Sequence, residues 1–348
     1  MADPAFQSAA LRGVLSLPRP LLRLIAGGGV VYRGGRTLDP RLQFLAHQAR
    51  GAPQLHSLAP PEARFAAAEA LRAVEGRLAP GVAIENLTLQ GEGGPLKARA
   101  YRPADQDPEA PVVVFAHMGG GVIGDLETAH AICGLLAAIG RCPVLSVAYR
   151  LAPEDRFPAG LDDVMSAYRW ARANAGRLGA PAGAAAVGGE SIGGAFAAVI
   201  CQELRRHGEP QPAFQLLMCP VVDVASETQS MTTYADAYPL SRRLMEWFMG
   251  HYIGPGDDPA DPRLSPIKTE DLSGLAPAVI ATAGFDPLLD QGEVYARRLQ
   301  EAGVPIVYRC YDSLAHGFSA FTGVVPAADV ACREIAGLVR EVIEGRLG

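Results

Sequence analysis

The 348-residue sequence predicts an α/β fold: an eight-stranded, mostly parallel sheet flanked by helices, with a helical cap. Three observations carry this. From about residue 110 onward, short apolar β-rich runs alternate with helical stretches. The run Val112 to Phe115 is apolar throughout, as a strand covered on both faces must be. The alternation stops between Asp223 and Pro262 and then resumes, which marks an insertion over one end of the sheet.

Residues 1–80 read as helical and irregular, broken at Gly27-Gly28-Gly29 and Pro60-Pro61. Leu21 to Ala26 is apolar, but it is short and interrupted by Arg23. No stable membrane insertion is therefore expected. Met1-Ala2-Asp3 begins acidic, unlike a secretory signal. An amphipathic helix covering part of the protein fits these residues better. A membrane-surface or interaction module in the first 40 residues is the rival reading.

Residues 81–222 and 263–348 are expected to form the core, and 223–262 the cap insertion. Ile84 to Leu89 and Leu96 to Tyr101 alternate around a Gly-Pro turn, which predicts a hairpin. Further strands are expected at 112–115, 144–148, 184–187, 214–218, 278–283 and 306–311. Helices are expected near 127–139, 161–173, 193–206, 290–302 and 327–343. In the insertion, one helix should carry Leu240, Leu244, Trp247 and Phe248, with Met245 and Met249 on an adjoining stripe. One side of that helix is expected to pack in the core and part of its face to line an acyl pocket.

The formal net charge of −6, without a cluster of Lys and Arg, excludes a nucleic-acid partner. Arg205-Arg206 and Arg242-Arg243 are isolated pairs on solvated helix faces. The six cysteines form neither a CxxC pair nor a zinc-type cluster, and a cytoplasmic setting is expected. Cys201 and Cys219 read as buried small hydrophobes.

The chemistry begins at Gly189-Glu190-Ser191-Ile192-Gly193. This fits G-x-S-x-G, in which small residues flank a serine on a sharp strand-to-helix turn. A serine hydroxyl needs a base in contact to act as a nucleophile. His316 follows the strand at 306–311, and Asp286 follows the strand at 278–283. Alone, an Asp before Pro is a turn former and a lone His is a surface or core residue. Their joint placement after successive strands, in the order Ser, Asp, His, makes them base and orienting acid. Asp290 is the nearest rival acid and is expected to cap its helix.

His117-Met118-Gly119-Gly120-Gly121 directly follows the strand at 112–115. Attack on an ester builds an oxyanion, and glycines let backbone N–H groups approach it. Gly119, Gly120 and Ile192 are assigned as donors. No phosphate-loop spacing is present. His117 is expected to fix the loop by hydrogen bonds.

These segments resemble the hormone-sensitive-lipase-like family of bacterial esterases, of the α/β-hydrolase superfamily. The resemblance rests on His117 to Asp125, Tyr149 to Glu154 with Phe157-Pro158 and Asp162-Asp163, Gly189 to Gly194, and Asp286-Pro287-Leu288 with His316-Gly317-Phe318. It covers about 110 to 320. It implies an α/β-hydrolase fold with a mostly helical cap formed by residues 1–80 and 223–262, hydrolysis of short to medium acyl esters, no cofactor, and the roles given to Ser191, Asp286 and His316. It also implies structural roles near the site for Tyr149, Glu154 and Asp163. Two departures stand out. Met118 and Gly121 replace the first glycine and the aromatic residue of the family's H-G-G-G-aromatic loop, and Ile192 replaces the usual Ala. Met118, Gly121, Leu244 and Phe248 are thus expected to shape the substrate pocket, with open space at Gly121.

The expected partner is a small-molecule ester, with no metal, and a homodimer is the candidate assembly. An amidase, lactonase or carbamate hydrolase, or a non-catalytic small-ligand receptor on the same scaffold, remains an alternative at this point.

Overall fold

A computed structural model describes residues 4–346; the acidic start at Met1-Ala2-Asp3 lies outside them. The chain opens with α1 (Pro4–Leu15), α2 (Arg19–Ile25), a ribbon of β1 (Tyr32–Arg33) and β2 (Arg36–Thr37), α3 (Pro40–Ala49) and α4 (Pro60–Val74). Prolines at the first helical positions of α3 and α4 explain these starts, since proline's missing N–H is not needed there. The ribbon was not predicted. Its strands are two residues each, below the length at which alternation can be read.

The core follows as β3 (Val82–Gly91), β4 (Gly94–Pro103), β5 (Val112–Ala116), α5 (His130–Gly140), β6 (Val144–Val147), α6 (Ala159–Ala173), β7 (Ala185–Glu190), α7 (Ile192–Arg206) and β8 (Gln215–Met218). Next come α8 (Gln229–Thr233) and α9 (Arg242–Tyr252). The chain ends with β9 (Ala278–Phe285), α10 (Leu289–Glu301), β10 (Ile306–Ala315) and α11 (Pro326–Ile343).

The eight strands β3 to β10 form one sheet in the order β10-β9-β8-β7-β5-β6-β4-β3. Only β4 runs against the rest, paired antiparallel with both β3 and β6. The hairpin and the eight strands match the expectation. Several boundaries differ, among them the ends of β9 and β10, which run on to Phe285 and Ala315, and two of the differences have clear local reasons. α5 begins at His130, not 127, because Asp125 Oδ1 accepts from the N–H groups of Glu127 and Thr128 and holds a turn there. Leu240 precedes α9, because Ser241 caps that helix by accepting from Leu244 N–H.

Alternate residues of the central strands feed two cores. Val112 and Val114 pack with Phe196 and Tyr295 on one face; Val113 and Phe115 pack with Leu136 and Ile335 on the other. No described helix is long and apolar enough to cross a membrane.

Candidate active site

Four loops meet at the carboxyl ends of the parallel strands. Ser191 follows β7, the glycine loop follows β5, Asp286 follows β9 and His316 follows β10. Such ends are where an open α/β sheet leaves a crevice. β7 lies between β5 and β8, so Ser191 sits at the sheet's centre.

Ser191 has φ 59° and ψ −119°, a strained turn for a residue with a side chain. Its N–H donates to Met218 O at 2.8 Å, and its carbonyl starts α7 by accepting from Ala195 N–H. The turn closes only over glycine: a Cβ on Gly193 would collide with the Ala116 carbonyl. This is the steric demand behind G-x-S-x-G.

The predicted trio is in hydrogen-bonded order. His316 Nε2 lies 2.9 Å from Ser191 Oγ, and Nδ1 lies 2.7 Å from Asp286 Oδ2. The second Asp286 oxygen accepts from Leu288 N–H. All three residues are buried. Burial pulls the His316 imidazole down. The charge of Asp286 and its hydrogen bond, with Glu190 beyond, outweigh this and raise the pKa above its ordinary value. Asp290, the rival acid, accepts from Ser230 N–H and so anchors α8.

Gly119 and Gly120 line the same cavity as Ser191. Among the described residues, the N–H groups of Gly119, Gly120 and Ile192 donate to no other protein group. His117 Nδ1 contacts Met118 O at 2.8 Å, and the ring stacks on Tyr149, whose hydroxyl donates to His117 O. Burial pushes the His117 imidazole down to about 4, so it is neutral at pH 7. Arg64 of α4 clamps the same region. It donates to Val122 O and Ala152 O and pairs with Glu154. Asp163 accepts from the Arg150 backbone and guanidinium.

Two cavities meet at Ser191. The larger, about 1180 Å³, lies under α3, α4 and the 235–248 segment, and is lined by Met118, Leu244, Phe248 and His316. The smaller, about 220 Å³, lies between Val221, Leu288, Met245 and Met249, and shares Ser191, Gly120 and Phe248 with the first. Gly121 lines neither. The open space expected beside it holds the Tyr252 ring, with which a Cβ there would clash. The missing aromatic group is thus supplied from α9.

Two neighbours escaped the sequence reading. Glu190, beside the serine, is buried; one oxygen accepts from Ser319 Oγ and the other has no partner. Burial raises its carboxyl pKa. Cys219, expected only to fill space, sits with Asp286 and His316, their ligand atoms within 4.8 Å of one another. These three are the single candidate metal cluster among the described residues, but Asp286 and His316 are already bonded to each other. The signal for Glu190 was its place inside the motif; nothing local marked Cys219.

A serine, an imidazole and a carboxylate thus stand in hydrogen-bonded series at the strand ends, beside free amide donors. Residues 113–320 match the family profile described as alpha/beta hydrolase fold. "Carboxylic ester hydrolase LipN" of Mycobacterium tuberculosis (strain ATCC 25618 / H37Rv) is 41% identical over 87% of this chain and 82% of its own length. "Ethyl acetate hydrolase" of Pseudomonas putida is 35% identical over 79% and 88%. The structure of an ester hydrolase from the metagenome of Lake Arreo superposes with a TM-score of 0.82 at 39% identity, covering 86% of this chain and 96% of that one. The chain belongs to the α/β-hydrolase fold family, within its hormone-sensitive-lipase-like group.

Proposed function

We propose that this protein is a serine carboxylesterase that hydrolyses short to medium acyl esters through an acyl-enzyme. The continuous Ser191–His316–Asp286 hydrogen-bond chain, opening on an apolar cavity, carries this reading. Ser191 Oγ attacks the ester carbonyl as His316 Nε2 takes its proton. Asp286 orients the ring and stabilises its charged form. The N–H groups of Gly119, Gly120 and Ile192 receive the oxyanion. His316 returns the proton to the leaving alcohol. Water then attacks the acyl carbon by the same route and frees the acid and Ser191.

The two cavities support a sidedness. The leaving alcohol must reach His316 Nε2, and His316 lines only the larger cavity. The alcohol therefore takes that side, and the acyl chain takes the smaller cavity walled by Phe248, Met245 and Met249. That volume favours the short end of the acyl range. The cap role of residues 1–80 and 223–262 has the same basis, since Arg64 and Leu244 from those segments line the larger cavity.

The test is hydrolysis of p-nitrophenyl esters from acetate to palmitate, with matched amides, by wild type and Ser191→Ala. Short esters should turn over fastest, and the variant should lose roughly a million-fold in kcat with an unchanged Tm. A folded wild type inert on every ester sinks the esterase reading and favours a ligand receptor. Comparable amide turnover would favour an amidase.

A further inference from the structure

Eight large apolar side chains stand exposed among the described residues, and five of them, Leu21, Leu24, Ile25, Val30 and Tyr32, fall within one short stretch. Leu21, Leu24 and Ile25 lie three and four apart on α2, so they share a face. Leu22 is the helix's one buried residue and its anchor to the body. Exposed apolar side chains gathered this way mark a contact surface, unlike single ones scattered over a protein.

The charge around this face is opposite to that of the molecule. Between residues 10 and 50 there are seven arginines and one acid, Asp39, in a chain whose net charge is −6. Asp39 is buried and accepts from Arg41 N–H, so it offers no exposed negative charge. Arg33 and Arg36 are paired with Asp236 and Asp312. Arg19 and Arg23, on α2 itself, form no ion pair among the described residues, nor does Arg50. Arg19 and Arg23 lie four apart and share the face of α2 opposite the apolar one, so the helix has the amphipathic, arginine-bearing form that lies in the interface of an anionic bilayer. A symmetric contact with a second copy would bring this arginine-rich segment against itself, which like-charge repulsion disfavours.

We infer that α2 and the Val30–Tyr32 loop form a peripheral docking face for an anionic phospholipid bilayer. Leu21, Leu24, Ile25, Val30 and Tyr32 enter the headgroup boundary, and Arg19 and Arg23 meet lipid phosphates. The face is separate from Ser191, but α2 packs on α3, whose Ala46 and Ala49 line the larger cavity. A docked protein would keep its substrate cavity one helix away from the lipid.

The experiment is co-sedimentation of the full chain with vesicles of phosphatidylglycerol mixed into phosphatidylcholine, and with phosphatidylcholine alone, at low and high salt. Binding should require phosphatidylglycerol and weaken with salt. Arg19→Gln/Arg23→Gln should bind roughly thirtyfold more weakly, at about fivefold per arginine. Leu21→Ser/Leu24→Ser should lose at least about tenfold, and Val330→Ser, exposed on α11, should bind as wild type. All these positions are exposed or half-buried, so p-nitrophenyl acetate turnover serves as a check on folding. Equal binding to both vesicles, no binding at low salt, or variants that bind as wild type would overturn the proposal. So would concentration-dependent self-association that Leu21→Ser/Leu24→Ser removes, which would assign the face to a second copy.

Discussion

Along β5, β7, β8 and β9 every residue is buried, whereas α2 buries only Leu22. The two regions obey different rules. In the strands, each side chain is fixed by neighbours on both faces, and the loops beyond hold Ser191, His316 and Asp286 at hydrogen-bonding distance. In α2, a single anchor leaves the other positions free to face whatever lies outside. Precision of geometry and freedom of surface are divided between two parts of one chain.

The largest stability effect should come from pressing on the tight side. Gly193→Ala drives a methyl group into the Ala116 carbonyl and should cost more than about 3 kcal/mol in urea denaturation, or prevent folding. Gly28→Ala has open space around it and only an unfavourable φ of +77°, so about 1 kcal/mol is expected. Equal costs would erase the contrast.

The next effect is acid sensitivity. Burial holds the His117 ring neutral down to about pH 4, while the unfolded chain takes up that proton near 6.5. The contribution is therefore intact above about pH 6.5 and is lost as the pH falls towards 4, amounting to about 3 kcal/mol. His117→Gln should flatten the dependence of Tm on pH across that window. An unchanged slope would mean that other groups set the acid limit.

The smallest effect concerns rate. His316 must be neutral to take a proton, and its pKa is raised, so the acid limb of kcat/KM should lie above the ordinary histidine value near 6.5. Glu190 contributes to that rise. Glu190→Gln should thus move the limb to lower pH, because it removes one of the charges that favour the protonated ring. A limb that stays in place would leave Glu190 as a packing partner of Ser319 alone.

Much of the tight region could be read from the sequence because its signals are local. The apolar runs, the small residues around Ser191, and the positions of Asp286 and His316 after strands are all visible within a few residues. What stayed hidden depends on distant pairing. Glu190 finds Ser319 across 129 residues, and Tyr252 fills the space beside Gly121 from another element. Cys219 reads as a core residue until the fold brings Asp286 and His316 beside it. The ribbon of β1 and β2 is too short to show a period. Leu240 kept helical spacing with Leu244 although the Ser241 cap excludes it from α9.

Phe248 lines both cavities and lies against Gly120, where a Cβ would strike its ring. Ser191, His316 and Asp286 follow strands of the sheet, while Phe248 comes from α9. On the proposed reading, reactivity and recognition are thus inherited from separate stretches of the gene. A duplicated copy could drift at position 248, trade one diet of molecules for another, and still keep its reactive apparatus whole.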